Sequence, residues 1–407
     1  MSKEYLIIDN GSYNIKAGFR GNLNPLKCNN ALCKTKDGNI YTGDELLSQP
    51  NKYSGVLFKR PFDQGNLVSW ETEKPLWDYA INLLSTEKEI DFSLTHLTLT
   101  EPPFQLPQLS LNTDQIVFEE YNFTEYYRCV PEALVPWSDK MNDKMKDFVL
   151  VIDVGFDSTW IVPVMYQNIY WKGIQRLPIG GLLLNNLLRE VISFRHYDMT
   201  EEPVLVNTLK EKTCFVAEDF NKYLLKKKKH GCEFVLPDFK TTATGYVRDK
   251  KYDSNRFSDV QSLLLTDERF SVPESFFHPE VIFDNSSNTS RPVQSEHFKN
   301  IVDLAVDSIK ACPEMAQPLL AANISLVGGS SQLQGFLERL AKGLREQLPQ
   351  EWVLNITKSQ YPADEVSWYG GAQFAQENVV NEVSVSRKEY FEHGSNWCQR
   401  RFGPKSL

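Results

Sequence analysis

Short apolar runs that end in polar turns alternate along the chain with longer stretches whose apolar residues recur at helical spacing. The runs typical of buried strands are EYLIIDN, FVLVIDV, STWIVPVMY and ISLVGG. Helical stretches begin at Gly181 (GLLLNNLLREVISF), Phe298 (FKNIVDLAVDSIKAC) and Phe336 (FLERLAKGLREQL). Because strands and helices alternate, the pattern predicts an α/β architecture.

One motif, an apolar strand followed by an aspartate and a glycine turn, occurs twice. The first copy carries Asp9 and Gly11, and the second carries Asp153 and Gly155. A carboxylate at the end of a buried strand can hold hydrated Mg²⁺, and the turn after it can present backbone N–H groups to phosphate. One copy alone is better explained as a hairpin turn. Two copies indicate a duplicated lobe that clamps a nucleotide's phosphate tail from both sides.

Further residues near these turns suit the same ligand. Ser12 can donate its hydroxyl to a phosphate, and Lys16 on the following strand can supply positive charge. Gly328, Gly329 and Ser330 end another apolar strand just before a helix, where backbone can lie against a nucleoside and the helix N-terminus favours negative charge. A Gly-Gly-Ser turn is weak evidence alone, since serine caps are common. As the third member of an ordered set it supports a nucleotide cleft.

Length and composition limit the classes of protein. A chain of 407 residues is too long for one hydrophobic core, so two or more lobes are expected. The net charge of −9 argues against a protein that grips nucleic acid over its whole surface. A lysine run at 226–229 is either a solvated helix face or a nuclear-import or DNA-contact segment, and both interpretations stay open.

The cysteines and the apolar runs bear on the compartment. Seven cysteines are scattered without metal-ligand spacing, which predicts reduced thiols in an intracellular protein. No apolar run approaches the roughly 20 residues that span a bilayer, and the first residues do not resemble a signal peptide. We therefore expect no membrane partner.

Seven blocks give the whole chain a resemblance to the actin superfamily, in actin order and at near-actin spacing. They are DNGSYNIKAGF, DVGFDST, LKEKTCFVAEDF, ERFSVPESFFHPE, LVGGSSQLQGF, SWYGG and RKEYFEHG. The resemblance implies an α/β actin-like fold with two ribonuclease-H-like lobes, four subdomains in all, around a central cleft. Lobe one is expected to comprise residues 1–140 plus 366–407, and lobe two residues 141–365.

Within that superfamily the chain is most similar to the actin-related protein six family. The blocks that carry this similarity are KRPFDQG, SFRHYDM, EFVLPDF, PEMAQPLLAANI and EHGSNWCQRRFG. The resemblance implies a subunit of a Swr-type chromatin remodelling complex, which exchanges a histone variant into nucleosomes. Expected partners are other subunits, including the ATPase chain, and through them nucleosomal histones and DNA. The expected location is the nucleus, and also the cytoplasm.

The resemblance also carries site residues over, position by position. The expected ATP cleft comprises Asp9, Gly11, Ser12, Lys16, Asp153, Gly155, Lys210, Glu211, Gly328, Gly329 and Ser330. Asp9 and Asp153 are the expected metal residues, which hold Mg²⁺ through water. The cofactor is either ATP with Mg²⁺, retained without turnover, or no nucleotide at all.

Five positions depart from the actin pattern. Tyr13 replaces a glycine of the first loop, so we expect its side chain to point away from the phosphates. Phe156 stands in place of an aspartate that arranges the attacking water, and Asp157 replaces a glycine. Glu132 stands at the position of the water-orienting glutamine, and Trp160 at that of a histidine. We therefore assign no catalytic residue and expect no enzyme activity.

Three functions remain to be compared. The first is a non-filamentous structural subunit. The second is an ATP-using enzyme such as a sugar kinase or an Hsp70-like ATPase, which needs an aspartate general base and a substrate pocket. The third is a filament-forming actin, which needs the loop that is shortened here at 24–40. Apparent insertions at 249–261 and 283–296, and a divergent tail after Gly394, favour the first, because added surface segments usually carry added binding functions.

Overall fold

The computed structural model describes residues 3–86, 90–139, 146–238, 244–248, 260–280 and 299–403. The expected insertion at 283–296 lies outside these residues, and so does the insertion at 249–261 except for its last two positions. In the described part of the chain, no helix is long and apolar enough to cross a membrane. All seven cysteines are free thiols.

The β-strands of the described residues are numbered in chain order. They are β1 (Glu4–Asn10), β2 (Asn14–Phe19), β3 (Leu26–Asn29), β4 (Leu32–Lys34), β5 (Ile40–Thr42), β6 (Leu57–Lys59), β7 (Phe62–Asp63), β8 (Asn66–Leu67), β9 (Thr95–Thr100), β10 (Glu125–Cys129), β11 (Phe148–Val154), β12 (Thr159–Met165), β13 (Asn168–Ile169), β14 (Gln175–Leu177), β15 (Cys232–Val235), β16 (Tyr246–Val247), β17 (Ser262–Leu265), β18 (Ile324–Val327), β19 (Ile356–Lys358) and β20 (Val385–Ser386).

The α-helices of the described residues follow in the same order. They are α1 (Trp70–Leu84), α2 (Pro107–Gln115), α3 (Pro131–Ser138), α4 (Gly181–Arg195), α5 (Pro203–Thr213), α6 (Phe220–Leu225), α7 (Glu268–Ser271), α8 (Ile301–Ala311), α9 (Gln317–Ala321), α10 (Phe336–Gln347), α11 (Val366–Gln376), α12 (Val380–Val383), α13 (Arg387–His393) and α14 (Ser395–Phe402).

Two six-stranded sheets repeat one topology. The first has the order β20-β10-β9-β1-β2-β3, and the second has the order β13-β12-β11-β18-β19 with β14 also paired to β12. In the first sheet β1 is antiparallel to β2 and parallel to β9. In the second, β11 is antiparallel to β12 and parallel to β18. The duplicated lobe predicted from the repeated motif is therefore present, and the α/β fold class is confirmed.

Apolar periodicity explains why these elements form. The strands β1 and β11 are buried along nearly their whole length, which is typical of sheets covered on both faces. In α10, Phe336, Leu340 and Leu344 recur every fourth residue and are fully buried, so one face of the helix packs on the core. The helix α8 begins at Asn300, whose side chain forms a capping box with Asp303. The predicted strands and helices are confirmed, although Phe298, the predicted start of one helical stretch, lies outside the described residues and the helix α8 starts at Ile301.

Smaller sheets extend from both large ones. The strands β4, β5 and β6 form one three-stranded sheet, and β15, β16 and β17 form another. Residues 24–40, predicted as a shortened loop, fold as β3 and β4 with a turn that leads into β5.

The helices α3 and α11 pack closely where the two large sheets approach each other. At Gly370 of α11, a side-chain carbon would lie 1.9 Å from the carbonyl oxygen of Leu134 in α3. At Gly371 it would lie 2.9 Å from Ile7 of β1. Only glycine allows this approach, which fixes α11 against both α3 and the central strand of the first sheet.

Replacing Gly370 should therefore destabilise the fold. We expect Gly370→Ala to lower the free energy of unfolding by about 1–3 kcal/mol, because the added methyl meets backbone that cannot rotate away. Denaturant unfolding followed by circular dichroism measures the change. Gly21→Ala is the control, since the space around Gly21 is open, and it should leave the unfolding midpoint unchanged. Equal stability of the two variants would contradict the close packing.

Candidate functional site

A cleft of about 730 Å³ lies between the ends of the two large sheets. Every residue predicted for the nucleotide site lines it, from both sheets, the turns after β1, β11 and β18, and α5. These residues are Asp9, Gly11, Ser12, Lys16, Asp153, Gly155, Lys210, Glu211, Gly328, Gly329 and Ser330. The structure therefore brings residues more than 300 positions apart in the sequence into one cavity.

The two aspartates occupy equivalent places in the two sheets. Asp9 is the second-last residue of β1, and Asp153 is the second-last residue of β11. Their partners on the antiparallel strands differ, because Asp9 pairs with Lys16 whereas Asp153 pairs with Trp160. Lys16 donates to Asp9 with an Nζ–Oδ2 distance of 3.0 Å, and both side chains are buried. The second lobe thus lacks the cation that the first lobe places beside its aspartate.

Lys16 lies near Asp9, Asp153 and Asp364, and Glu132 lies near Asp153 and Asp9. We call these four carboxyl groups the carboxylate cluster. Burial lowers the pKa of Lys16, but Asp9, Asp364 and Asp153 outweigh burial and raise it overall. Burial raises the pKa of Asp153 to about 6, although Lys16 opposes the change. Lys16 therefore remains charged. The carboxylate cluster contains more acidic groups than this one lysine can neutralise.

Glu132 is the least compensated member of the carboxylate cluster. It lies at the start of α3 and is almost completely buried. Burial and the nearby Asp153 raise its pKa well above the ordinary value. Neither side-chain oxygen accepts a hydrogen bond from another described residue. An orphaned buried carboxyl beside two aspartates is a place where an additional cation would be stabilising.

These donors fit Mg²⁺, which prefers oxygen ligands and keeps several waters. In the part of the chain that the structure describes, no three His, Cys, Asp or Glu side chains are close enough to enclose an ion directly. Asp9 and Asp153 would accordingly hold the ion through its water ligands. A divalent cation supplies positive charge to bound phosphates and to the carboxylate cluster.

The other wall of the cleft suits a nucleoside. Gly328 has a φ of 88°, and a side-chain carbon there would lie 2.3 Å from Oδ1 of Asp153. Glycine thus lets the end of β18 lie directly against the end of β11. The Ser330 hydroxyl donates to the Gly155 carbonyl at 3.1 Å, which ties this turn to the second loop.

Lys210 and Glu211 approach the same wall from α5. Lys210 Nζ donates to the Gly181 carbonyl at 3.3 Å and to Asn207 Oδ1 at 3.0 Å. Burial lowers the pKa of Lys210 to about 8, although Glu211 opposes the shift. Glu211 accepts a hydrogen bond from Asn207 Nδ2 at 2.9 Å. These polar groups are the ones available to a ribose or a base.

A set of contacts joins the two loops, and we call it the interlobe bridge: Ser12, Tyr13, Arg60, Phe156 and Asp157. The rings of Tyr13 and Phe156 meet with centroids 4.7 Å apart. The Arg60 guanidinium lies 4.8 Å from the first ring centroid and 4.9 Å from the second. The Ser12 hydroxyl acts on the Asp157 carboxyl and opposes the rise in its pKa that burial causes. The Tyr13 ring, expected to point away from the phosphates, thus reaches across the cleft to the opposite loop.

Arg60 is a site residue that sequence reasoning missed. Its Nη1 donates to the carbonyls of Ser12, Tyr13 and Asn30 at 3.1–3.2 Å, so it holds the first loop in place. The sequence offered one signal, since Arg60 belongs to the block KRPFDQG. That block indicates a family but gives no reason to place its arginine between two aromatic rings.

Comparison with known proteins agrees with this geometry. The Actin family model matches residues 2–403. The chain belongs to the actin family. Two relatives carry the name "Actin-like protein ARP6". The one from Debaryomyces hansenii is 58% identical to this chain over the full length of both, and the one from Candida albicans is 52% identical over 99% of this chain and 98% of the relative.

A relative of the same name from Saccharomyces cerevisiae is 35% identical over 98% of each chain. The resemblance to the actin-related protein six family is therefore confirmed along the whole chain.

The pKa of Glu132 predicts how stability depends on pH. A raised folded-state pKa means that stability is full below the unfolded-state pKa and is lost as the pH rises toward the folded value. Glu132→Gln removes this pH-dependent loss of stability. Without divalent cation, the substitution should therefore raise the free energy of unfolding only slightly near pH 5 and by about 1–3 kcal/mol at pH 7–8. Denaturant unfolding at several pH values measures the gain.

Glu351→Gln, on the exposed surface, provides the control and should show no such trend. A destabilising effect of Glu132→Gln at every pH would show that the Glu132 carboxyl is satisfied rather than isolated.

Proposed function

We propose that this chain is a non-filamentous, non-hydrolysing structural subunit of a nuclear chromatin remodelling complex that exchanges a histone variant into nucleosomes. The family supports an actin-related role, and the relatives share the name of actin-like proteins. The observation that supports the absence of hydrolysis is the interlobe bridge, in which Phe156 stands in place of a water-positioning aspartate and packs against the Tyr13 ring.

Hydrolysis of a nucleotide needs an oriented water and stabilised charge on the transferred phosphoryl group. Phe156 offers no hydrogen-bonding group to orient a water. Burial raises the pKa of Asp157 beside it, although the Ser12 hydroxyl, the Arg60 cation and the Gly65 backbone N–H oppose the shift. Glu132 favours its protonated form, because burial raises its pKa. None of these residues is therefore arranged to activate a water.

Nucleotide retention remains compatible with the same cleft. Gly328, Gly329 and Ser330 would contact the nucleoside, and Asp9 and Asp153 would hold the cation. The bound nucleotide would then act as a structural ligand that stabilises the closed arrangement of the lobes, because any ligand selective for the folded state raises its stability.

The proposed partners are the other subunits of the complex, including its ATPase chain, and through them histones and DNA. The tail after Gly394 offers one distinctive surface, since α14 ends in Arg400 and Arg401. Its apolar residues Trp397, Cys398 and Phe402 pack on the core of the first lobe, which leaves its polar face for a partner. The proposed location is the nucleus, and also the cytoplasm.

A cleft without a group that activates water predicts no turnover of ATP. Purified protein with Mg²⁺ and ATP should release no phosphate above the buffer blank, because no group orients a water. Phe156→Asp should remain inactive, since Tyr13 and Glu132 still differ from a hydrolytic site. A coupled phosphate-release assay measures both proteins. Turnover in the unmodified protein that Asp153→Ala abolishes would contradict the proposal.

The structural role predicts stable association with different chains rather than with copies of itself. Affinity purification of the tagged protein from nuclear extract, followed by mass spectrometry, should recover the remodelling ATPase and its companion subunits.

The isolated protein should not pellet with Mg²⁺, salt and ATP at micromolar concentration. A tagged protein that runs as a lone monomer in the extract, or that forms filaments, would contradict this function.

A further inference from the structure

The Asp157 carboxylate lies among groups that would suit a bound phosphate. The Ser12 hydroxyl of the opposite loop and the Gly65 backbone N–H both act to lower the pKa of this carboxyl group. The cations of Arg60 and Arg176 both favour its ionised form, although burial opposes them and raises its pKa overall. A hydroxyl, a backbone N–H and two guanidinium groups are the donors that proteins commonly direct at phosphate oxygens. Here a carboxylate of the chain itself lies among them.

The aromatic pair fills the space next to that carboxylate. The Tyr13 and Phe156 rings touch across the gap between the loop tips, with the Arg60 guanidinium against both. Asn207 Nδ2 of the second lobe also donates to the Tyr13 hydroxyl, at 3.2 Å. Tyr13 is therefore held on its face and at its hydroxyl, and it cannot move without breaking contacts with the other lobe.

Order along the cleft determines which part of a nucleotide meets this obstruction. The nucleoside wall is formed by Gly328, Gly329 and Ser330, and the cation residues Asp9 and Asp153 end the central strands. The tips of the two loops, at Ser12–Tyr13 and Phe156–Asp157, line the same cleft and meet across it. A phosphate tail that starts at the nucleoside wall and passes the cation would bring its last phosphate between these tips.

We propose that the cleft is specific for a nucleoside diphosphate, and that the Asp157 carboxylate and the Tyr13–Phe156 pair occupy the place that the terminal phosphate of a triphosphate requires. This inference rests on the proposed retention of a nucleotide. It adds which nucleotide is retained and names the residues that select it.

Electrostatics act in the same direction as the steric obstruction. A third phosphate would bring further negative charge beside Asp157, in a buried region where repulsion is weakly screened. Lys16 cannot offset this charge, since it is already paired with Asp9 at 3.0 Å. The Arg60 Nη1 is engaged by backbone carbonyls. A diphosphate avoids the obstruction and still reaches the cation held by Asp9 and Asp153.

Calorimetric titration of the nucleotide-stripped full-length protein tests this selectivity. The probes are MgADP and the non-hydrolysable analogue MgAMP-PNP, at fixed free Mg²⁺. We expect MgADP to bind about 10-fold or more tightly than MgAMP-PNP, because both steric conflict and charge repulsion act on the third phosphate only. Asp157→Gly should strengthen MgAMP-PNP binding and reduce the ratio of the two affinities by about threefold or more, since the internal carboxylate is gone while the Tyr13–Phe156 pair remains.

Asp63→Gly is the matched control. Asp63 is exposed on the neighbouring hairpin and does not line the cleft, so the variant should keep the selectivity of the unmodified protein. Equal or tighter binding of MgAMP-PNP by the unmodified protein would overturn the inference and leave a non-hydrolysing subunit in place. Binding of neither probe would overturn both the inference and nucleotide retention, whereas the role in the complex is tested separately by co-purification. Should Asp157→Gly fail to fold, the ratio in the unmodified protein still decides.

Discussion

The cleft depends on one buried lysine that is shared by several carboxyl groups. The central strands of the two sheets end at Asp9 and Asp153, and the chain brings both ends to one cavity together with Glu132 and Asp364. Lys16 neutralises part of this charge, and its pKa rises because the carboxylates outweigh its burial. The remaining negative charge is the physical reason to expect a divalent cation in the cleft. The same charge disfavours an anionic ligand that binds without a cation.

The duplicated topology explains both the likeness of the two halves and their difference. Each lobe places an aspartate at the end of its central strand, next to an antiparallel partner. The partner residue is Lys16 in one lobe and Trp160 in the other, so the charge is balanced from one side only. Arg60 then supplies a second cation from outside the repeated motif. It stacks on aromatic rings from both loops and stabilises their closed arrangement without any ligand.

The sequence predicts the central strands and the turns at their ends well, because these features depend on residues that are neighbours in the chain. Apolar runs give the central strands, and the Asp-x-Gly turns give the residues at their ends, including Asp9 and Asp153. The interlobe bridge could not be predicted in this way. The pairing of Ser12 with Asp157, and that of Tyr13 with Phe156, join residues far apart in the chain and depend on how closely the two lobes approach. Arg60 gives no signal of its own, since an arginine beside a proline is common on protein surfaces.

Three of the five departures from the actin pattern, at Tyr13, Phe156 and Asp157, form a single arrangement rather than separate losses. Tyr13 and Asp157 each stand where the resemblance implies a glycine, and each uses its side chain to contact the opposite loop. A loop that gives up glycine loses space for phosphate, but here it gains a contact between lobes. One set of residues thus underlies both proposals, that the cleft does not hydrolyse a nucleotide and that it prefers a shorter phosphate tail.

The most direct test is to identify the nucleotide that the native protein carries. The protein is purified rapidly in Mg²⁺ without added nucleotide and denatured in acid, and the supernatant is resolved by ion-exchange chromatography against adenine nucleotide standards. We predict stoichiometric ADP, even when the cells are lysed in excess ATP. Stoichiometric ATP, or a protein free of nucleotide, would contradict a cleft that is specific for the diphosphate.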